Sequence, residues 1–131
     1  MAFLIHTTAD GHQVPWEYLA ASAITPKVGM ALKLDSSGLL AAAATSSTKP
    51  EFICMYEGAT LTSGDIIPVI RVTEDIIFET TNSASFEDRK VGEKVQLYSD
   101  LMCVNNVTTN GVAEIVAKDG NASGSRVLVK F

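Results

Sequence analysis

Residues that carry most protein chemistry are scarce in this sequence. It has two cysteines and two histidines among 131 residues, and His6 and His12 have no cysteine or third histidine placed to complete a tetrahedral zinc site. No G-x-S-x-G motif sets a serine in a strained turn, and the glycines match no phosphate-binding spacing. The sequence therefore predicts no metal, no cofactor and no catalytic constellation, so we expect a protein that is not an enzyme.

Long apolar runs and clusters of basic residues are also missing. No apolar stretch approaches the roughly 20 residues of a membrane span. The opening MAFLIHTTADG has no basic region before its short apolar stretch, so we expect no cleaved secretory leader. The ten Lys and Arg are scattered, and the net charge is −5, which is unfavourable for contact with a phosphate backbone. We expect neither a membrane nor a nucleic acid as partner.

One pattern of strands and turns is present twice. Residues 27–39 read KVGMALKLDSSGL and residues 90–102 read KVGEKVQLYSDLM. The match continues between 53–58 and 115–120, and between 64–69 and 124–129. A unit that repeats in this way usually buries its apolar face against its partner. The repeat predicts that residues 27–72 and 90–131 are two copies of one β unit, related by a pseudo-twofold axis.

The chain is predicted to consist of an N-terminal arm, residues 1–26, and one β domain, residues 27–131, in which residues 73–89 form a linker strand. Only residues 16–23 could form a helical turn or two. Pro68 lacks a backbone donor, so its strand is expected at a sheet edge or with a bulge. Alternating polarity predicts about eight or nine strands, at 29–34, 39–44, 51–57, 66–72, 75–81, 93–98, 101–105, 112–118 and 126–131. We predict a mainly β fold, a small single-domain β-barrel or β-sandwich.

The predicted arm contains an aromatic cluster, PWEYL at residues 15–19. If this segment is extended, Trp16 and Tyr18 lie on the same side of it. Large aromatic side chains are typical interface anchors, so Trp16, Tyr18 and Leu19 are the candidate partner-binding residues. The alternative, that these side chains fold back over the protein's own β domain, stays open.

Three further features indicate structure rather than chemistry. The loop DGNASG at 119–124 resembles the start of a calcium loop, but Lys130 stands at the twelfth position, where a bidentate Glu is required. We therefore expect a polar turn there. Cys54 and Cys103 fall at different strand positions of the two repeats, and we expect both to be reduced and buried. Asn110-Gly111 predicts a tight turn, because asparagine tolerates positive φ.

The layout resembles a known group of viral proteins. The line WEYLAASAITPKVGMALKL, the GD and GE turns before short strands, and the GVAEIV and RVLVKF ending are similar to capsid decoration, or cement, proteins from the head-gene clusters of tailed phages and prophages. The resemblance spans residues 16–131. The sequence differs from lambda-type decoration proteins in lacking a long Ala/Pro/Thr-rich lead and in carrying an internal duplication.

The resemblance implies a β-barrel or β-tulip domain that binds the outside of a mature capsid shell. It implies the major capsid protein as partner, contacted by the N-terminal arm, and a homo-oligomer, most often a trimer. The protein would then lie on the capsid surface of the virion after assembly in the host cytoplasm.

Two other functions remain open at this point. A phage tail or baseplate adaptor would share the β fold and the lack of catalytic groups, and would differ only in its partner. A bacterial carbohydrate-binding β module would need exposed aromatic side chains on a strand face. Tyr56 and Tyr98 map to different places, and Trp16 falls in the predicted arm, which is unfavourable for this second alternative.

Overall fold

The computed structural model describes residues 2–43 and 47–131. These residues contain strands and no helix, so the prediction of a mainly β fold is confirmed, and the helical turn considered at 16–23 is wrong. The strands are β1 (Leu4–Thr8), β2 (Glu17–Ala20), β3 (Ala31–Leu34), β4 (Leu40–Ala42), β5 (Phe52–Cys54), β6 (Ile66–Arg71), β7 (Ile76–Thr81), β8 (Lys94–Val95), β9 (Ala113–Lys118) and β10 (Arg126–Lys130).

The strands form two antiparallel five-stranded sheets. The first has the order β1-β7-β10-β9-β8 and the second the order β2-β6-β5-β3-β4. This arrangement is consistent with the predicted β-sandwich and is not a closed barrel. In the second sheet, Ala21, just after β2, forms an isolated parallel bridge with Leu40 of the other edge strand, β4. In the first sheet, Asn82, just after β7, forms the corresponding bridge with Val104.

One apolar core includes buried residues from both sheets. On β7 and β10 every second side chain is buried, among them Ile76, Phe78 and Val127. The ring of Phe3 lies 5.4 Å from that of Phe131, which in turn lies 5.6 Å from Phe78. Residues from both ends of the sequence therefore close the core against β7.

The two Lys-Val-Gly segments have the same local geometry. Gly29 and Gly92 both have positive φ, 84° and 95°. The Gly29 N–H donates to the Cys54 carbonyl, and the Gly92 N–H donates to the Ile115 carbonyl, both at 2.8 Å. Positive φ favours glycine, which explains why both turns carry it.

The strand order β2-β6-β5-β3 of the second sheet corresponds to β7-β10-β9-β8 of the first. The Ala21 N–H donates to the Asp65 carbonyl after β2, and the Asn82 N–H donates to the Ser125 carbonyl after β7. The correspondence thus includes β2 and β7, which lie before the predicted repeats. Each sheet has one strand of its own, β1 beside β7 and β4 beside β3. Superposition of the two segments as whole units about a twofold axis stays a prediction.

The described part of residues 1–26 is built into the sheets and does not form a separate arm. β1 pairs with β7, and β2 pairs with β6. Phe3 and Ala21 are fully buried. The sequence did not indicate these strands, because LIHTT and EYLA are short and their pairing partners lie about 45 to 75 residues away along the chain.

Pro68 lies in an interior strand, so the predicted edge position is wrong. β6 is flanked by β2 and β5, with continuous register on both sides. The Pro68 carbonyl accepts a hydrogen bond from the Met55 N–H, just beyond the end of β5. Because the N–H and C=O of a strand residue point to the same side, the donor missing at Pro68 would face the chain after β5 has ended. The sheet therefore loses no strand-to-strand hydrogen bond within β5.

The predicted strand at 101–105 is wrong. Within it only Val104 forms a bridge, and Leu101 has a φ of 61°. The Leu101 N–H donates to the Tyr98 carbonyl, as the Gly38 N–H does to Asp35 in the first repeat. A turn was not recognised here because Leu101 occupies the left-handed position that Gly38 holds in the other copy. Ala44, the end of the strand predicted at 39–44, lies outside the described residues.

Candidate interaction surface

β2 presents two of the three candidate partner-binding residues to solvent. The Trp16 side chain, just before the strand, is 51% exposed, and Tyr18 is 65% exposed. Leu19 is partly buried and packs against the core, opposite Ile67 of β6. Successive strand residues point to opposite faces, so Trp16 and Tyr18 share a face and Leu19 points to the other one. Leu19 therefore contributes to core packing.

A third apolar side chain joins this surface from β6. Ile66 is 67% exposed and is paired with Ala20, while Tyr18 is paired with Pro68. Cross-strand and diagonal neighbours on one face lie within reach of an aromatic ring. We call Trp16, Tyr18 and Ile66 the aromatic surface. Sequence reasoning missed Ile66 because its proximity to Tyr18 depends on the pairing of β2 with β6.

The charges beside the aromatic surface neutralise each other. Arg71 donates to both carboxylate oxygens of Glu17, from Nε and from a terminal nitrogen, each at 2.9 Å. Its guanidinium also lies 4.8 Å from the centre of the Phe52 ring. These hydrogen bonds lower the pKa of Glu17 and raise the pKa of Arg71. The edge of the sheet at β2 therefore carries no net charge from this pair.

Both histidines lie at the surface of the protein, His6 41% and His12 43% exposed. His6 is near Glu79, at 3.8 Å. His12 contacts Asp10 through Nδ1, and its Nε2 lies 3.5 Å from Asp75. The hydrogen bond to Asp10 raises the pKa of His12. Within residues 2–43 and 47–131, no group of three or more His, Cys, Asp or Glu side chains is arranged to hold a metal ion.

One side chain of the calcium-like loop at 119–124 contacts an ammonium group of this protein. Lys118 Nζ donates to the carbonyls of Phe86 and Arg89, at 3.1 and 2.7 Å, and to the side-chain oxygen of Asn121, at 2.8 Å. One acceptor is in the loop and two are in the segment before β8, and all three bind the same side chain. The loop is a polar turn that Lys118 ties to the segment before β8.

Both cysteines are buried and not joined in a disulfide. Burial raises the pKa of Cys54, and burial together with the nearby Asp100 carboxylate raises the pKa of Cys103 to about 12. A thiol with a raised pKa is a poor nucleophile, because the thiolate is the reactive form. The positions of both residues fit a role as small apolar core residues.

Comparisons with known proteins identify no relative: no family model matches the chain, and no curated protein matches it. In the described part of the chain, no helix is long and apolar enough to cross a membrane. The candidate site therefore rests on its own geometry: two exposed aromatic rings at β2 and one exposed isoleucine on the neighbouring β6, beside the Glu17–Arg71 ion pair.

Proposed function

We propose that this chain is a non-enzymatic phage structural protein that binds and stabilises the outside of a capsid. Its partner would be the major capsid protein, and its place the virion surface after assembly in the host cytoplasm. The observation that carries the proposal is the aromatic surface, because exposed Trp and Tyr side chains side by side are typical of binding sites. A protein that binds only the expanded shell stabilises that shell by mass action.

The test is the double substitution Trp16→Ala with Tyr18→Ala. We expect binding to expanded capsids, measured by cosedimentation, to weaken about 30-fold or more, since central aromatic anchors are commonly worth 2 kcal/mol or more. The melting temperature should change little, because both side chains are more than half exposed. The matched control is Tyr56→Ala with Tyr98→Ala, two tyrosines of 41% and 43% exposure.

Equal binding by the wild type and the Trp16/Tyr18 variant would contradict the proposal. Deletion of residues 1–26 is not a suitable test, because it removes β1 and β2 from the two sheets. Any loss of binding after that deletion would report on folding as much as on contact.

We further propose that the protein forms a homo-oligomer, most simply a trimer. Pro68 gives no support, because its strand is interior. Support comes from the apolar side chain of Val91, which is 60% exposed and lies outside the aromatic surface, and from the resemblance to decoration proteins. Light scattering at micromolar concentrations should give a mass about three times 13.9 kDa. A monomer mass would exclude this assembly.

A carbohydrate-binding module is the second candidate. Tyr18 lies on a strand face with Trp16 beside it, an arrangement on which a sugar ring could stack. Binding of the wild type to soluble polysaccharides, lost in the Trp16/Tyr18 variant, would favour this function over the capsid. A tail or baseplate adaptor is separated by the same cosedimentation with purified tails in place of capsids.

A further inference from the structure

The two sheets differ at one corresponding edge. In the first sheet the outer edge of β7 is covered by β1, which pairs antiparallel with it from Leu4 opposite Glu79 to Thr8 opposite Ile76. β2 holds the position of β7 in the second sheet, with Ala21 corresponding to Asn82. The residues of β2 that correspond to the β1-binding part of β7 are 15–18. β4 reaches this side only at the end of β2, where Ala21 bridges Leu40. Beside residues 15–18, no strand of the described chain pairs with β2 on that side.

The backbone at this edge points outward. The Ala21 N–H donates to the Asp65 carbonyl, and in an antiparallel pair hydrogen-bonded and non-bonded positions alternate. Tyr18, opposite Pro68, is therefore at a non-bonded position, which agrees with the missing donor of Pro68. The N–H and C=O of Tyr18, and by the same alternation those of Trp16, point away from β6.

The other sheet edges carry features that discourage pairing with another chain. The register of β1 with β7 shifts between Ile5 and Thr7, β8 has only two residues and includes Lys94, and β4 has only three residues. β2 has regular register with β6 and no lysine, and its one charged residue, Glu17, is tied to Arg71. Among the described edges, β2 is thus the least protected against an added strand.

We propose that the outer edge of β2, at Trp16 and Tyr18, accepts an extended segment of the partner protein as an additional antiparallel strand, in the way that β7 accepts β1. Alternating unpaired donors and acceptors are complementary to an extended peptide backbone. The segment should be uncharged and alternate in polarity, because the edge is neutral and one of its faces is apolar. In taking the capsid protein as the source of this segment, the inference rests on the proposed function.

A flexible segment fits this edge better than a second copy of the folded chain. Four strand residues span about 14 Å. A stable dimer of globular proteins buries about 800 Å² on each partner, more than one such short edge provides. An extended segment needs only the edge itself and the exposed rings beside it.

The matched pair Tyr18→Ala and Tyr18→Pro separates the backbone from the side chain. Both variants lose the ring, and only the second loses the N–H that points outward. Proline is tolerated on an edge strand when its missing donor faces solvent, so we expect both variants to fold. The probes are expanded capsids and, independently, peptides selected on the wild type from a displayed library of random ten-residue sequences.

We expect Tyr18→Pro to bind both probes about fivefold more weakly than Tyr18→Ala, the value of one net hydrogen bond. We also expect the amides of Trp16 and Tyr18 to exchange rapidly with solvent in the free protein and slowly in the complex. Amide exchange needs no substitution, so it decides the question even if Tyr18→Pro does not fold.

Failure of this inference can be distinguished from failure of the proposed function. If the Trp16/Tyr18 double variant loses capsids, while Tyr18→Ala and Tyr18→Pro bind equally and the two amides stay unprotected, the function stands and the added strand is refuted. If capsids never bind but a selected peptide protects the two amides, the strand-accepting edge stands and the capsid function fails. If no selected peptide and no capsid protects them, the inference is overturned.

Discussion

Gly29 and Gly92 allow a sharp test of how the N-terminal residues are held. Both have positive φ, and both N–H groups make the same hydrogen bond. Their surroundings differ. A Cβ added at Gly29 would lie 2.8 Å from the Ala2 Cα and from the Phe3 nitrogen, whereas one added at Gly92 would meet no atom within 4 Å.

Alanine in a left-handed conformation costs about 1 to 2 kcal/mol, and this cost applies to both positions. At Gly29 residues 2 and 3 must also move. Phe3 is 1% exposed, packs edge-on against Phe131 at 5.4 Å, and donates to the Gly29 carbonyl at 3.0 Å. Loss of its burial costs about 1.5 to 3 kcal/mol, and loss of the ring pair about 0.5 to 1.5 kcal/mol more. Gly29→Ala should therefore cost at least about 2 kcal/mol more than Gly92→Ala.

The measurement is equilibrium unfolding in urea of the wild type and both variants, with free energies from the midpoint and slope. The control repeats both substitutions in a Phe3→Ala background, where the excess cost at Gly29 should shrink to about 0.5 to 1.5 kcal/mol, the value of the Phe3 backbone hydrogen bond, because no buried ring is left to displace. Equal costs at the two glycines in the wild-type background would refute the reasoning. So would an excess at Gly29 that is as large in the Phe3→Ala background as in the wild type.

Three further predictions follow from the polar and ionisable groups. Lys118→Met should lower the free energy of unfolding by about 2 to 4 kcal/mol, because three acceptors lose a charged donor. The control is Lys90→Met at an exposed position, which should change the free energy of unfolding by less than about 0.5 kcal/mol in the same urea assay. Glu17→Gln should cost about 0.5 to 1 kcal/mol at pH 7. The pKa of Glu17 is lowered in the folded state, so the stabilisation by the ion pair is present above the ordinary glutamate pKa and is lost as the pH falls through the lowered value. If the cost of Glu17→Gln instead grew below pH 4, the assignment of this stabilisation to Arg71 would be contradicted. Cys103 should resist iodoacetamide at pH 8, because about one part in ten thousand of a thiol with a pKa of about 12 is thiolate at that pH. It should react once urea unfolds the chain. Rapid labelling of Cys103 in the folded protein, measured by mass spectrometry, would contradict its burial.

Several features were readable from the sequence because they depend on neighbouring residues. The alternation in DIIFETT, GVAEIVAK and RVLVKF predicted β7, β9 and β10, since side chains alternate between the two faces of a strand. Asn110 has the positive φ, 51°, that the Asn-Gly turn predicted. The burial of both cysteines followed from the apolar residues on either side of them.

The candidate site was only partly readable. The side-by-side placement of Trp16 and Tyr18 needed nothing more than an extended backbone. The burial of Leu19 and the exposure of Ile66 required the register between β2 and β6, which join residues about 50 positions apart. No local pattern encodes that register.

Long-range pairing decided the rest. Pro68 could lie in an interior strand because β5 ends where its missing donor points, and the left-handed turn at Leu101 lies where alternation predicted a strand. β1 and β2 are too short to be predicted alone, and they exist because β7 and β6 offer them backbone partners. The sequence by itself determined the β class, the turn chemistry and the apolar faces, which are properties of neighbouring residues. Only the tertiary structure decided which strands pair and which edge stays open, because those depend on contacts between residues far apart in the chain.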